Sequence, residues 1–145
     1  MHAATEITRD NLGFLLAKAS QRWNELLAER FAARGYPEVR AAYGALLVPL
    51  FEEDGLRMGE LARRARLSKQ TMTTMVRLLE RDGLVRRVPD PADGRAWLVR
   101  LTPRARRFQP VAAEVLREIE GDIDTRVDAT KRQALQEALK EVIEL

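Results

Sequence analysis

The strongest constraint on the fold is a short amphipathic pattern with a start signal at Ser68 and a stop signal at Gly83. Between them, apolar side chains recur at three- and four-residue steps, which is the spacing of one face of an α-helix. These side chains are Met72, Val76 and Leu79. Serine is a favoured N-cap residue, and glycine readily adopts the positive φ that often ends a helix. The pattern therefore predicts a helix over residues 69–82 with one buried face.

Short elements flank this helix on both sides. Residues 58–65 (MGELARRA) predict a shorter helix in front of it, and together the two form a helix-turn-helix pair. Behind it, residues 84–88 and 96–101 have strand-like composition and enclose the turn-rich stretch 89–94. Two such segments around a turn predict a β-hairpin.

Longer amphipathic patterns fill both ends of the chain. Residues 9–34 predict a first helix, and residues 38–51 predict a second. Gly44 and Pro49 are unfavourable inside a helix, so we expect a bend or an early end there. After the hairpin, Thr102-Pro103 begins a fifth helix with an expected kink at Pro110, and Asp128 caps a sixth.

Composition excludes several classes of protein. The 145 residues have room for one ordinary domain, and 46% apolar and 32% charged residues suit a folded, helix-rich chain. No apolar run is long enough to span a bilayer, and residues 1–10 lack the pattern of a secretory signal. The chain has no cysteine, which excludes disulfides and thiolate chemistry. By elimination, we expect a cytoplasmic protein without a membrane partner.

Charge is distributed unevenly along the chain. Residues 63–107 contain 13 Lys or Arg and 4 Asp or Glu, whereas the other 100 residues contain 12 basic and 18 acidic side chains. A basic block in an otherwise acidic chain is typical of a protein with a polyanionic partner. The alternative is an arginine-rich face that only contacts solvent.

The predicted helix 69–82 has an outer face suited to DNA. This face holds short hydroxyls, one amide and two cations, and it has no carboxylate. Its members are Lys69, Gln70, Thr73, Thr74 and Arg77. Such a face can enter a major groove without repelling phosphates, and Gln and Arg can pair with adenine and guanine edges. A helix face that only contacts solvent would usually include Glu among its lysines.

The predicted hairpin offers a second contact. Asp93-Gly94-Arg95 is expected at its tip, where one guanidinium on a compact loop suits the negative potential of a minor groove. Asp93 is close enough in sequence to hold Arg95 by a charge-assisted hydrogen bond. The alternative for these residues is an ordinary polar turn.

Enzymes and protein-binding modules are the two classes of protein to weigh against a DNA-binding protein. The only histidine is His2, which is expected in a frayed tail, and the chain has no phosphate-binding loop and no His/Cys cluster. The acidic cluster Glu52-Glu53-Asp54 could attract a cation, but the end of a solvated helix also explains it. We therefore expect no enzyme activity, no metal and no cofactor. A winged helix that binds protein is the remaining alternative, and it would need an apolar or acidic outer face on helix 69–82.

The segment from about residue 58 to residue 107 resembles the winged helix of the MarR (multiple antibiotic resistance regulator) family. The matching sequences are LARRARLSKQTMTTMVRLLERDGLVRR, then DPADGR, then the strand that ends in Leu101-Thr102. The flanking helices agree in order and length, so the resemblance covers nearly the whole chain.

The resemblance implies both an architecture and a function. The architecture is one domain over residues 1–145, mainly α with a small β-hairpin. Its winged helix-turn-helix spans about 38–101, and its dimerisation helices span about 9–34 and 103–145. Exposed apolar stripes on the terminal helices independently favour a homodimer. The implied function is sequence-specific transcription regulation, by a repressor that binds a pseudo-palindromic operator in double-stranded DNA.

Site residues follow from the same resemblance. Base or phosphate contacts are implied for Ser68, Lys69, Gln70, Thr71, Thr73, Thr74 and Arg77. Arg95 would enter the minor groove with support from Asp93. Family members often bind small aromatic or anionic effectors between the dimer helices and the winged domain. The aromatic candidates for such a site are Trp23, Tyr36, Tyr43 and Trp97, and simple packing is the alternative for each.

Overall fold

The computed structural model describes residues 7–145, which contain six α-helices and three β-strands. The helices are α1 (Leu12–Ala33), α2 (Gly44–Glu52), α3 (Met58–Ala65), α4 (Lys69–Arg81), α5 (Pro103–Asp124) and α6 (Ala129–Ile143). The strands are β1 (Leu56–Arg57), β2 (Val85–Asp90) and β3 (Asp93–Leu101). The mainly helical architecture with a winged helix-turn-helix is confirmed. His2 lies outside the described residues.

Local signals fix both ends of α4. The Ser68 hydroxyl accepts a hydrogen bond from the Thr71 N–H at 3.1 Å, as an N-cap should. At the other end Gly83 has a φ of +75°, a conformation that suits glycine. The predicted helix 69–82 is therefore confirmed to within one residue, and α3 has the predicted bounds 58–65.

The second helix begins later than the sequence predicts. Residues 41–43 form one turn of 3₁₀-helix, and α2 starts only at Gly44. The preceding segment is held by α5, because Arg104 donates hydrogen bonds to the Glu38 carboxylate and to the Gly35 carbonyl. The Arg104 guanidinium also lies 4.5 Å from the Tyr36 ring centroid. They tie residues 35, 36 and 38 to α5, and residue 38 is where the second helix is predicted to begin.

Proline does not end either helix in which it occurs. The helix α2 continues past Pro49 to Glu52, and α5 continues through Pro110 to Asp124. The early end considered for the second helix at Pro49 is therefore wrong. Its C-cap is Glu53, whose N–H donates to the Pro49 carbonyl.

A three-stranded antiparallel sheet packs beside the helices, with strand order β1-β3-β2. The β1 strand is too short for a sequence pattern, but Leu56 pairs with Val99 of β3. On the other edge Val85 of β2 pairs with Leu101. The predicted hairpin is confirmed, and its strands extend further than predicted, so that only residues 91 and 92 form the turn.

One apolar core joins these elements. It contains the inner face of α4, both buried sheet residues of β3 and the inner side chains of α2 and α5. Phe31 of α1 packs edge-to-face on Phe108 of α5, with ring centroids 4.8 Å apart. This pair ties the first terminal helix, α1, to α5. Within residues 7–145, no helix combines the length and apolar character that crossing a bilayer requires.

Asp54 connects three elements near the sheet. Its carboxylate accepts the Gly55 N–H at 2.8 Å and the Leu101 N–H at 2.9 Å, and it forms an ion pair with Arg106 of α5. Burial alone would raise the pKa of this carboxyl, but these donors lower the pKa on balance. Asp54 is thus a structural group, and it does not belong to an open acidic cluster. The described residues contain no group of His, Cys, Asp and Glu that could hold a metal ion.

We predict that the Glu38–Arg104 contact stabilises the fold at neutral pH and loses this effect in acid. The Arg104 hydrogen bond holds the pKa of the Glu38 carboxyl below its ordinary value. A lowered folded-state pKa contributes stability above the unfolded-state pKa, and the contribution is lost as the pH falls through the folded-state pKa. Glu38→Gln should therefore reduce the free energy of unfolding by about 1 kcal/mol at pH 7, and by less below about pH 4.

Urea unfolding at pH 7 and at pH 3.5 tests this prediction. Glu29→Gln is the matched control, because Glu29 is exposed on α1 and has no ion pair among the described residues. It should change the free energy of unfolding by less than about 0.5 kcal/mol. Equal losses for Glu38→Gln at pH 7 and pH 3.5 would contradict the expected pH dependence.

Candidate nucleic-acid interface

The two faces of α4 differ completely in burial. The apolar side chains of the inner face are at most 1% exposed, and they pack in the core. These are Met72, Val76 and Leu79. Of the predicted outer-face residues, Thr73 is half-buried and the others are exposed. The outer-face set thus lies together on the surface of one helix.

Hydrogen bonds divide the outer face into structural and available groups. The Thr73 and Thr74 hydroxyls donate to the main-chain carbonyls four residues earlier, at 2.9 and 3.1 Å. The Ser68 hydroxyl donates to the Thr71 side-chain oxygen at 2.9 Å and also caps the helix. The Ser68, Thr73 and Thr74 hydroxyls therefore use their donors locally and retain lone pairs as acceptors, whereas the Thr71 hydroxyl accepts from Ser68 and keeps its own donor.

The two outer-face cations of α4 are not neutralised by neighbouring carboxylates among the described residues. Among the 13 basic residues of the block 63–107, eight form ion pairs within 4.0 Å with described residues. The five that form none are Lys69, Arg77, Arg86, Arg100 and Arg107. Lys69 and Arg77 are both on the outer face of α4. A face of this kind attracts a polyanion.

The wing places Arg95 differently from the sequence prediction. The register pairs Asp90 with Asp93 and Pro89 with Trp97, so residues 94–96 bulge out of the ladder. The tip itself is the turn at residues 91 and 92, and Asp93-Gly94-Arg95 follows it on β3. The prediction that these residues form the tip is therefore wrong. The Arg95 side chain is nevertheless 95% exposed on the bulge.

Asp93 supports Arg95 mainly through the backbone. Its carboxylate accepts a hydrogen bond from the Arg95 N–H at 3.1 Å. The same oxygen lies 3.7 Å from the Arg95 Nε, which is an ion-pair distance and too long for a good hydrogen bond. The expected hydrogen bond to the guanidinium is absent, and Asp93 instead fixes the backbone from which that side chain extends.

Sequence reasoning missed Asp90 and Arg57. Asp90 is the one buried charged residue in the part of the chain that the structure describes, with 8% exposure. One carboxylate oxygen accepts the Ala92 N–H at 2.8 Å, and the other lies 2.6 Å from the Arg57 Nε. These donors hold the pKa of the Asp90 carboxyl below its ordinary value. An aspartate at the start of a turn-rich stretch, such as Asp90, indicates an Asx turn. No sequence signal indicates Arg57 as its partner.

The four aromatic effector candidates lie in different places. Tyr43 is 1% exposed, and its hydroxyl donates a hydrogen bond to Asp82 at the end of α4. Tyr36 packs on Phe108, and Trp97 lies half-exposed on β3. Of the four, only Trp23 lines the apolar cavity between α1, α2 and α5. The structure does not bring the four aromatic side chains together.

The Tyr43–Asp82 contact joins the α2 region to α4. The bond from the Tyr43 hydroxyl lowers the pKa of the Asp82 carboxyl, with help from Arg81. Burial raises the pKa of Tyr43, and the Asp82 carboxylate raises it further. Asp82 is also the C-cap residue of α4. The contact therefore fixes the end of α4 relative to the segment that precedes α2.

A cavity of about 420 Å³ lies next to this segment. Its wall is mostly apolar and comes from α1, the 3₁₀ turn, α2 and α5. It includes Trp23, Phe31, Leu47, Val48, Phe51, Phe108 and Leu116, with Arg40, Asn24 and Gln109 as polar groups. Aromatic and apolar walls with a few polar groups are typical of small-molecule sites.

The terminal helices carry apolar side chains that this chain alone does not cover. No residue of α6 is buried, although it has a regular apolar stripe. The large apolar residues exposed on α1, α5 and α6 are Leu12, Phe14, Leu15, Leu116, Leu135, Val142 and Ile143. Exposed stripes of this extent mark a contact surface.

Comparison with known proteins agrees with this geometry. A family model described as MarR family matches residues 43–97. The HTH-type transcriptional repressor Rv2887 of Mycobacterium tuberculosis is 31% identical over 115 residues, which cover 73% of this chain and 83% of that protein. The transcriptional activatory protein BadR of Rhodopseudomonas palustris is 39% identical over 74 residues, which cover 51% of this chain and 42% of that protein.

Solved structures share the fold over nearly its whole length. A probable transcriptional regulator from Pseudomonas aeruginosa has a TM-score of 0.78 at 28% identity, and the match covers 92% of this chain and 97% of that one. The PcaV transcriptional regulator from Streptomyces coelicolor, in complex with its natural ligand, has a TM-score of 0.79 at 24% identity, with 99% and 98% covered. The transcriptional repressor CouR, bound to a 23-mer DNA duplex, has a TM-score of 0.74 at 22% identity, with 96% and 99% covered.

The match to the mycobacterial repressor extends over most of both chains, and the family model covers the helix-turn-helix and most of the wing. All of these relatives and structural neighbours are named as regulatory proteins of transcription, and none is named as an enzyme. The chain therefore belongs to the MarR family of transcriptional regulators.

Proposed function

We propose that the chain is a homodimeric repressor that binds a pseudo-palindromic DNA operator and releases it when a small aromatic or anionic effector binds. The observation that carries the proposal is the outer face of α4. Four of its five side chains are exposed and Thr73 is half-buried, and its two cations have no ion-pair partner among residues 7–145. An inner face that is fully buried holds this surface in one orientation.

In this proposal α4 enters the major groove. Its 13 residues make a helix about 20 Å long, which suits the width and depth of that groove. Gln70 and Arg77 supply the amide and guanidinium groups that pair with adenine and guanine edges. At the N-terminal end, the Lys69 cation and the Thr71 hydroxyl, which has no acceptor among the described residues, can meet backbone phosphates. The Ser68 oxygen can accept a hydrogen bond from water.

Arg95 enters the neighbouring minor groove. The bulge at residues 94–96 holds its guanidinium away from the sheet, and 95% of the side chain is exposed. A narrow minor groove has enhanced negative potential that attracts such a side chain. Asp93 supports the contact by fixing the Arg95 backbone N–H.

The terminal helices α1, α5 and α6 form the dimer interface. Pairing two copies buries the exposed apolar stripes, and two-fold symmetry then presents two α4 helices to successive major grooves about one turn apart. CouR, which has the same fold, was solved on a 23-mer duplex. A duplex of that length provides about two helical turns, enough for two half-sites.

Repression is favoured over activation by the extent of the matches. The relative named a repressor matches 73% of this chain, whereas the relative named an activatory protein matches 51% of it and less than half of its own length. A dimer seated on an operator excludes other proteins from that DNA. Release from the operator would then restore transcription.

The apolar cavity is the proposed effector site. Its wall includes Arg40, Ala41 and Gly44, and Tyr43 lies in the same segment. A ligand that moves this segment would act on α4 through the Tyr43–Asp82 hydrogen bond. A larger pocket of about 530 Å³ between α1 and the end of α5 is lined mainly by charged and polar side chains, so it fits an aromatic compound less well.

Dimerisation is the first prediction from this proposal. Sedimentation of the free protein at micromolar concentration should give about twice 16.5 kDa. Leu135→Asp should shift the protein towards the monomer, because Leu135 is 55% exposed on α6 and a charge there would be buried by a partner helix. Gln133→Asp, at another exposed α6 position outside the apolar stripe, is the matched control. A wild-type monomer at these concentrations would contradict the proposal.

The second prediction separates α4 from the wing. Arg77→Ala or Gln70→Ala should cost about 1–3 kcal/mol on the operator and relax the base preference locally, while the fold survives because neither side chain is buried. Arg95→Ala should weaken operator and scrambled DNA alike. It should also reduce the slope of log affinity against log salt by about two for a dimer.

Salt titrations with a selected operator duplex and a scrambled duplex measure both effects. Arg9→Ala is the control for loss of one exposed cation, since Arg9 lies before α1 and has no ion pair among the described residues. If the Arg77 and Gln70 variants keep full affinity and base preference, another element contacts the bases. If Arg95→Ala leaves slope and affinity unaltered, the wing does not contact DNA.

The third prediction concerns the cavity, with benzoate as the probe of an aromatic anion. In a Trp97→Phe background, benzoate should quench Trp23 fluorescence and lower operator affinity by about tenfold at saturation. Ala112→Phe, which adds a ring at the cavity wall, should abolish both effects. Ala42→Phe, at an exposed position outside the wall, should retain them. Benzoate binding that persists unchanged in Ala112→Phe would place the ligand elsewhere.

A further inference from the structure

We propose that Arg57 and Asp90 form a positioning pair that fixes the wing against the helix-turn-helix, so that Arg95 is presented to DNA in one orientation. The proposal rests on the proposed contact between the wing and the minor groove. Neither residue needs to contact DNA itself. Their effect on binding would act through Arg95.

The position of Arg57 explains why it can do this. Arg57 is the N-cap residue of α3, but its side chain makes no capping hydrogen bond. Its Nε instead donates to an Asp90 carboxylate oxygen at 2.6 Å. The Arg57–Asp90 hydrogen bond therefore joins the N-terminus of α3 to the last residue of β2.

The pair spans the whole width of the sheet. The strands β1 and β2 are opposite edges, with β3 between them. Arg57 is in register with Leu98, and Leu98 is in register with Val88. Because alternate residues of a strand share a face, Asp90 lies on the same face as Val88, two residues nearer the tip. The Arg57 side chain thus crosses over β3 to reach Asp90.

Asp90 transmits this anchor to the turn. Its second carboxylate oxygen accepts the Ala92 N–H at 2.8 Å, which fixes the turn that joins β2 to β3. The bulge that carries Arg95 begins two residues after Ala92. One buried carboxylate therefore connects the base of α3 to the backbone just before Arg95.

Apolar packing does not hold this part of the wing. From residue 89 to residue 97, Asp90 is the one buried residue, and Trp97 is 50% exposed. On β3, Val99 is the buried core residue nearest to the turn. With no buried apolar anchor in the outer wing, the carboxylate of Asp90 supplies the lateral constraint.

The substitution Asp90→Asn distinguishes the proposed positioning of the wing from a simple effect of charge on DNA affinity. The substitution removes a negative charge from the basic surface, so electrostatics alone predicts tighter DNA binding. It also removes the partner of Arg57, while the amide oxygen can still accept the Ala92 N–H. The proposed positioning role therefore predicts that Asp90→Asn binds DNA more weakly, which is the opposite of the electrostatic expectation.

The experiment measures affinity for a duplex that the wild-type protein selects from a random-sequence pool. Asp90→Asn and Arg57→Ala should each weaken binding about tenfold, and Arg57→Lys should recover most of the loss. Adding Asp90→Asn to Arg95→Ala should weaken binding no further, because both changes act on the same contact. Arg86→Ala is the matched control, since it removes an exposed cation from β2 and leaves Asp90 untouched. Its effect should add to that of Arg95→Ala.

A measurement without DNA tests the pair independently. In a Trp23→Phe background, Trp97 is the remaining tryptophan and lies in the outer wing. Acrylamide quenching of Trp97 should increase in Asp90→Asn and Arg57→Ala, and stay at the wild-type level in Arg57→Lys and Arg86→Ala. Unchanged melting of the core, followed by far-UV circular dichroism, shows that the variants are folded.

The outcomes separate this inference from the proposed function. Asp90→Asn binding as tightly as wild type, or more tightly, overturns the positioning pair whenever Arg95→Ala weakens binding. Unchanged Trp97 quenching in both variants overturns it as well. If Arg95→Ala has no effect on affinity while quenching increases, the proposed wing contact fails and the pair still positions the wing.

Discussion

Burial of one face of α4 is the constraint on which the rest of the structure depends. Burying Met72, Val76 and Leu79 contributes roughly 1.5–3 kcal/mol for each side chain, and it fixes the rotation of the helix about its axis. The Ser68 cap and Gly83 then fix where the helix begins and ends. The opposite face is consequently exposed as one rigid set of polar and cationic groups. Its composition is free to suit a partner, because the fold does not require it.

The same separation explains the distribution of charge. Ion pairs that hold the fold together lie mostly between elements, as between Arg104 and Glu38 or between Arg106 and Asp54. Lys69 and Arg77 make no such pair with the described residues, so no ion pair of theirs stabilises the free protein. A bound phosphate backbone would neutralise them. Duplex DNA should therefore stabilise the folded chain in proportion to its concentration and affinity.

Local sequence patterns predict the structural elements that depend on neighbouring residues. They do not predict the features that depend on contacts between distant residues. The caps and apolar spacing of α3 and α4 are contained in a few consecutive residues, so both helices were predicted to within one residue. The late start of α2 depends on Arg104, more than sixty residues away, and was missed. The strand β1 has two residues and exists because β3 pairs with it. The bulge at residues 94–96 was missed for the same reason, since register is a property of two strands together.

Asp90 shows where stability and function are not separable. A buried carboxylate is costly unless donors surround it, and here the Ala92 N–H and the Arg57 guanidinium both serve it. An apolar residue would remove that cost, but it could not accept both hydrogen bonds and would leave the turn unfixed. A charged side chain in the outer wing is therefore explained by geometry: it is short enough to cap the turn and polar enough to engage an arginine across a strand. Lys69 and Arg77 on α4 form no ion pair with the described residues, so the fold does not depend on their charges, whereas Asp90 carries contacts that join two edges of the sheet and the turn.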